Sequence, residues 1–259
     1  MWRSIVAATV ILATVMVIPV DAQQASHGTR FVTVADMIQA TVVGDPEGLQ
    51  GEHVTHLAEF SPDGRRVAVV VRHGNLDENT VESSILVFTL PDIFRSPAPD
   101  TVVTFASSSN RPAIRHVRWL ADSCTLAFLG ERPHELPQVY TVDIQTRALA
   151  RLTEHSTAIA TYDITPSGQV VAYTAEPTPD TAYAMQVQRH GLVMTGQAAS
   201  DGMLNLHEFD PFSQETRLFV KDLDTGRLTA VSDSGVGRCQ DSFGLSLAPS
   251  GRFASYYRS

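Results

Sequence analysis

The sequence is poor in lysine: Lys221 is the single one, and arginine supplies the rest of 19 basic side chains, set against 28 acidic ones. A formal charge of −9 with no basic block excludes a surface that tracks a phosphate backbone, so no nucleic-acid partner is expected. Charged residues make up only 18% and hydrophobic residues 43%, which excludes a disordered acidic tail and a polytopic membrane protein alike. Cysteine is scarce too. Cys124 and Cys239 cannot build the disulfide framework of a tiny secreted fold, and the spacing leaves open one bridge or two separate buried thiols.

Long apolar runs are absent after residue 20. The one such run, residues 5–20, carries Pro19 near its end and falls short of the roughly 20 residues that span a bilayer, so no stable membrane span is expected. Arg3 ahead of it and Val20-Asp21-Ala22 behind it make residues 1–22 an export signal, with cleavage after Ala22 and a periplasmic or secreted product. Cleavage would remove Arg3 and Asp21 together and leave the net charge unchanged.

What is present is a repeat. Thr33-Val-Ala-Asp36 is a capping-box-like start for a short helix through Met37, Ile38 and Ala40, in an N-terminal segment of residues 23–50. Thereafter one shape recurs: an apolar run, a tight turn and a second apolar run. It appears at 56–71 around Ser61-Pro-Asp-Gly64 and at 162–173 around Thr165-Pro-Ser-Gly168. It appears again at 245–256 around Ala248-Pro-Ser-Gly251. Proline presets the first turn dihedral and glycine accepts a positive φ, so each flank folds back on the other. At 117–128 only Ala121-Asp122-Ser123 stands at the turn, and a weaker reversal is expected there.

Each complete copy is followed by a second pair of runs: 85–90 with 101–105, 138–143 with 148–153, and 217–222 with 227–231. Four short strands per unit in tandem predict an all-β fold, a β-propeller with blades at about 51–108, 112–155 and 156–233. Residues 240–259 hold only half of a fourth blade, so the sequence is expected to be an incomplete propeller, a truncated piece of a longer ancestor or a fragmentary gene product. Insertions between second and third strands account for the uneven spacing, the longest being 177–215.

The Thr33-Val-Ala-Asp-Met37 opening and Phe60-Ser-Pro-Asp-Gly-Arg-Arg-Val-Ala68 resemble the propeller of secreted S9 serine peptidases, the prolyl oligopeptidase and dipeptidyl peptidase IV type. Val117-Arg-Trp-Leu120 and Gln138-Val-Tyr-Thr-Val-Asp143 add to that resemblance, which covers roughly residues 31–259. A bacterial lasso-peptide isopeptidase is one subtype the resemblance admits, and Ser-Pro-Asp-Gly blades also resemble TolB-like periplasmic propellers. The peptidase resemblance implies a domain that restricts substrate access beside an α/β-hydrolase domain with a Ser-Asp-His triad. No stretch here matches that hydrolase domain, so no catalytic residue carries over. The expected function is a noncatalytic propeller, with a peptide or protein partner or a separate hydrolase domain. The alternatives are a TolB-like binding module and the propeller subunit of a split peptidase.

Searching the residues for chemistry yields little. The nearest approach to a nucleophile elbow, Gly244-Leu-Ser-Leu-Ala248, lacks the final glycine and runs into a turn, so Ser246 is expected on a blade strand. His53 and His56 could share a metal but lack further ligands, and His134-Glu135 and His207-Glu208 lack a second histidine at helical spacing. Asp222-x-Asp224-x-Gly226 resembles the start of a calcium loop without its downstream glutamate and is read as a turn between outer strands. No catalytic, cofactor or metal residue is therefore assigned, and no cofactor is expected. The insertion 177–215, with Met185, Met194, Met203, His190 and His207, is expected to pack on a hydrolase domain or line a substrate entrance.

Overall fold

Apolar runs that are continuous rather than alternating suit strands buried on both faces, and the computed structural model arranges them so. It describes residues 30–44, 58–90, 92–95, 98–109, 111–176, 189, 216–231 and 245–255. The first sheet contains β1 (Val42–Val43), β2 (Glu59–Phe60), β3 (Arg66–Asn75), β4 (Thr80–Thr89) and β5 (Asp100–Ser107). The second runs β6 (Ile114–Trp119), β7 (Thr125–Gly130), β8 (Gln138–Asp143) and β9 (Leu149–Arg151) in sequence order. The third repeats this with β10 (Ile159–Ile164), β11 (Val170–Ala175), β12 (Arg217–Asp222) and β13 (Leu228–Val231). A fourth sheet pairs β14 (Ser246–Leu247) with β15 (Ala254–Ser255). Every pairing is antiparallel, as in propeller blades.

The core lies in the seams between blades. Along β7, Leu126 and Phe128 pack toward the first blade, whereas Ala127 and Leu129 pack toward the third. Along β11, Val171 and Tyr173 face the second blade and Ala172 faces the fourth sheet. The period-2 geometry of a strand thus serves two cores at once, which is why polar positions nearly vanish from these runs.

The four inner turns are closed by the same two backbone bonds. Gly64, Ser123, Gly168 and Gly251 each donate to the carbonyl three residues earlier, and Ser61, Leu120, Thr165 and Ala248 each donate across to the residue five later. The turn residue is left-handed in every copy: φ is +67° at Gly64, +56° at Ser123, +74° at Gly168 and +68° at Gly251. The second turn is therefore as well formed as the others, contrary to the weak reversal expected. Where Ser61 and Thr165 use a hydroxyl to accept the N–H groups of Arg66 and Val170, position 120 is leucine. Asp122 substitutes, its carboxylate accepting the N–H groups of Cys124 and Thr125 and the Thr125 hydroxyl. Burial raises the Asp122 pKa, but these bonds outweigh it and hold the carboxyl below its ordinary value.

The first blade departs from expectation. Its second and third strands pair over all ten positions from Arg66↔Thr89 to Asn75↔Thr80, so residues read as an insertion form a long hairpin. The polar stretch Arg72-His73-Gly74-Asn75 hides this strand from a hydrophobicity reading. Strand β1 also joins this blade, pairing Val42 with Arg72 and Val43 with Val71, an addition the sequence pattern does not signal. Helix α1 (Val34–Gln39) follows directly on Thr33, where the capping-box reading starts it. It buries none of its residues fully and lies against Gly74, where a β-carbon would come within 2.8 Å of the Ile38 carbonyl oxygen.

Candidate functional site

Antiparallel order fixes two faces. One carries the tight turns after each inner strand. The other, the loop face, carries the connections 76–79 and 131–137 between second and third strands and the crossing 152–158 between blades. Strand β11 ends and strand β12 begins at this face, because Ala175 and Arg217 pair with each other.

Polar groups at the loop face are buried and tied together. Between the first and second blades, Glu131 is 4% exposed; one carboxylate oxygen accepts the Ser107 hydroxyl at 2.7 Å and the other accepts Arg111 Nε–H at 2.9 Å. Below them Phe105 meets Phe128 and Tyr140 edge-on, with ring centroids 5.4 and 5.0 Å apart, and the Arg132 guanidinium lies 4.7 Å above the Phe105 ring. Gly130 makes room for them, since a β-carbon there would stand 2.7 Å from the Phe105 ring.

Between the second and third blades, fully buried Gln138 clamps the crossing segment. Its Oε1 accepts the His155 N–H and the Thr153 hydroxyl, and its Nε2–H donates to the His155 carbonyl. The His155 ring packs on Phe219 and Tyr173 at 4.6 and 5.6 Å, and its Nδ1 accepts the Thr157 N–H. Burial lowers the His155 pKa and favours the neutral ring, while burial pushes the Tyr173 phenol up to about 12. The Thr157 hydroxyl donates to the Glu176 carbonyl at 2.6 Å, at the root of the long connection.

Nearer the turn face, inner strands are joined across blades. Asp163 on β10, 4% exposed, accepts from Arg118 on β6 and, at 2.7 Å, from the Leu247 N–H on β14. Trp119 Nε1–H donates to the Glu59 carbonyl, and the Tyr162 hydroxyl donates to the His116 carbonyl. Tyr162 is wholly enclosed, and burial raises its pKa far above the ordinary phenol value. His116 has φ +52° at a bulge between Arg115 and Arg118, the local widening that re-aims an inner strand.

The residues weighed from sequence fall as follows. Ser246 is on strand β14, paired with Ser255. His134 and Glu135 lie on the 131–137 loop, where Glu135 N–H donates to the Arg132 carbonyl. Asp222 caps a turn, accepting the Thr225 N–H at 2.8 Å, a bond that also holds its carboxyl below the ordinary range. Gly226 takes φ +72° where Arg147 takes +62° in the equivalent turn of the second blade, and Asp143 caps that turn in the same way. Cys124 carries a free thiol, and Cys239 lies outside the described residues. So do His53, His56, His190, His207, Glu208 and the three methionines of 177–215. Among the described residues no three His, Cys, Asp or Glu side chains converge as a metal site, and no helix is long and apolar enough to cross a membrane. The buried seam groups Glu131, Gln138 and Asp163, and the half-buried His155, were missed by sequence reasoning, because no local motif marks them.

Seams, repeated turns and blade order define the class: an all-β protein of propeller architecture. Its structural neighbours are S9 peptidases and TolB-like propellers. Among solved structures, AtxE2 isopeptidase matches 79% of this chain at 20% identity, with a TM-score of 0.55. A variant of that isopeptidase with Astexin3-dC4 bound matches the same share at 19% identity, with a TM-score of 0.56. TolB from Acinetobacter baumannii matches 80% of this chain and 40% of its own at 13% identity, with a TM-score of 0.43. At such identities the isopeptidase likeness is one of fold, and this chain spans about a third of those isopeptidase chains, 32%. No protein-family model and no curated protein matches the sequence.

Proposed function

We propose that this chain is the substrate-gating propeller of an S9-type serine peptidase, noncatalytic by itself and exported by residues 1–22. The observation that carries the reading is the fold shared with an isopeptidase over 79% of the chain. In support, the 259 residues hold no Gly-x-Ser-x-Gly elbow, and Ser246, the nearest approach, is the first residue of a two-residue strand that leads into a turn rather than into a helix. The loop face is rigidly braced by Glu131 and Gln138, which suits a surface that admits or refuses a peptide. Hydrolysis would come from an α/β-hydrolase domain acting beside it.

Prolyl and alanyl peptide substrates, together with a serine-reactive probe, test this on the purified chain. The expected result is no turnover and no labelling, with peptide binding retained in calorimetry. Serine-dependent turnover would overturn the reading. Capture of a folded protein without any peptide affinity would instead favour a TolB-like binding module.

A further inference from the structure

One row of the first blade is left chemically unsatisfied. Arg72 on β3 pairs with Ser83 on β4, and Ser83 pairs with Phe105 on β5, so the three share the sheet face that meets the second blade. The Ser83 hydroxyl is buried in a residue only 1% exposed, and neither it nor the buried Arg72 Nε–H has a hydrogen-bond partner. A guanidinium is charged at every accessible pH, so a buried N–H without an acceptor is expensive, and a second orphan beside it compounds the cost. Thr80, the other buried orphan, belongs to the opposite face with His73 and Glu82, because it pairs with Asn75.

Charge at this seam also runs against the chain as a whole. Arg132 lies over Phe105, adjoining Ser83 in the row. Glu131 is the acidic partner nearby, and both its oxygens are occupied, by Ser107 and Arg111. A protein of net charge −9 thus places Arg72 and Arg132 along one seam, where Glu131 is committed to Ser107 and Arg111 and Glu135 lies on the Tyr140 side of Arg132.

We propose that the seam between the first and second blades binds a carboxylate, which accepts from the Arg72 guanidinium and the Ser83 hydroxyl with Arg132 at the rim. A carboxylate offers two planar acceptor lobes, which suits one guanidinium fork plus one hydroxyl donor. Resting on the gating reading above, the carboxylate is that of a bound peptide, from its C-terminus or from an Asp or Glu side chain. Arg72 and Ser83 lie near the Asn75–Thr80 end of the hairpin, the loop-face end, and a peptide would have to reach them from that side.

Calorimetry on the full chain tests this with three peptides: acetyl-Ala-Ala-Tyr as the free acid, the same peptide as an amide, and an amide carrying one aspartate. One of the two acids should bind about tenfold tighter than the neutral amide, and which one identifies the source of the carboxylate. Arg72→Met should abolish that preference, Arg72→Lys should keep part of it, and Ser83→Ala should weaken it severalfold. Because the hydroxyl is an orphan in the free protein, Ser83→Ala should melt no lower than wild type, whereas a structural hydroxyl would show a loss. Sodium acetate supplies an independent arm, expected to raise the melting temperature of wild type but not of Arg72→Met. Peptide binding with no preference for the acids would overturn the site and leave the gating reading standing. An Arg72-dependent acetate effect without peptide binding would sustain the site and sink the gating reading. Neither effect would overturn both.

Discussion

His155 shows how one side chain binds blade to blade. Its backbone is held at both ends by Gln138, its ring rests on Phe219, and its Nδ1 receives the Thr157 N–H. Burial pulls its pKa below the ordinary 6.5, so the folded chain favours the neutral ring while the unfolded chain takes up a proton more readily. The contribution is therefore present above pH 6.5 and is lost as pH falls below that value. In His155→Phe, ring packing survives but the Thr157 N–H loses its acceptor. Stability near pH 7.5 should fall by about 1 kcal/mol, and the decline of stability between pH 6.5 and 5 should flatten, both read from urea unfolding at each pH. An unchanged slope would show that another group governs this window. Nothing local in Glu154-His-Ser-Thr157 announces this role, since it depends on a glutamine 17 positions earlier and a ring on a later blade.

At the scale of elements, the repeated turn was legible because its signals are local: proline, a small polar residue and glycine act within four positions. The exception is instructive. Ser123 replaces glycine at φ +56°, and Asp122 replaces the hydroxyl of Ser61 and Thr165, so geometry persists while the motif dissolves. Longer-range joins carry the seams. Asp163 links three blades through Arg118 and the Leu247 N–H, and its removal leaves that buried N–H without a partner. Asp163→Ala should cost about 1–3 kcal/mol in chemical unfolding, mostly through Leu247, because Arg118 is half-exposed and can turn to water. A loss well under that range would mean the inner strands are held by packing alone. The long β3–β4 hairpin and the addition of β1 escaped the sequence reading, because backbone pairing, not apolar patterning, holds Arg72 to Asn75 in place.

For the whole molecule, export and gating are the properties at stake. A chain with 19 basic and 28 acidic side chains repels polyanions in general, yet it can still concentrate arginine at one seam. If residues 1–22 are an export signal, protein recovered from the exported fraction should begin at Gln23. N-terminal sequencing reads this directly, and a retained Met1 would remove the export reading.

The sequence by itself determined the class of strand, the turns and the number of repeating units, because short apolar runs, proline and glycine act over a few bonds. It also placed Ser246 on a strand, since the turn that follows it is a contiguous motif. Tertiary structure alone decided which polar groups are buried together. Asp163 meets Arg118 across 45 positions and Leu247 across 84, and Arg72 meets Ser83 only through hairpin register. Such groups look like ordinary surface residues in a linear chain. Burial makes them costly or useful, and burial exists only after the blades have packed.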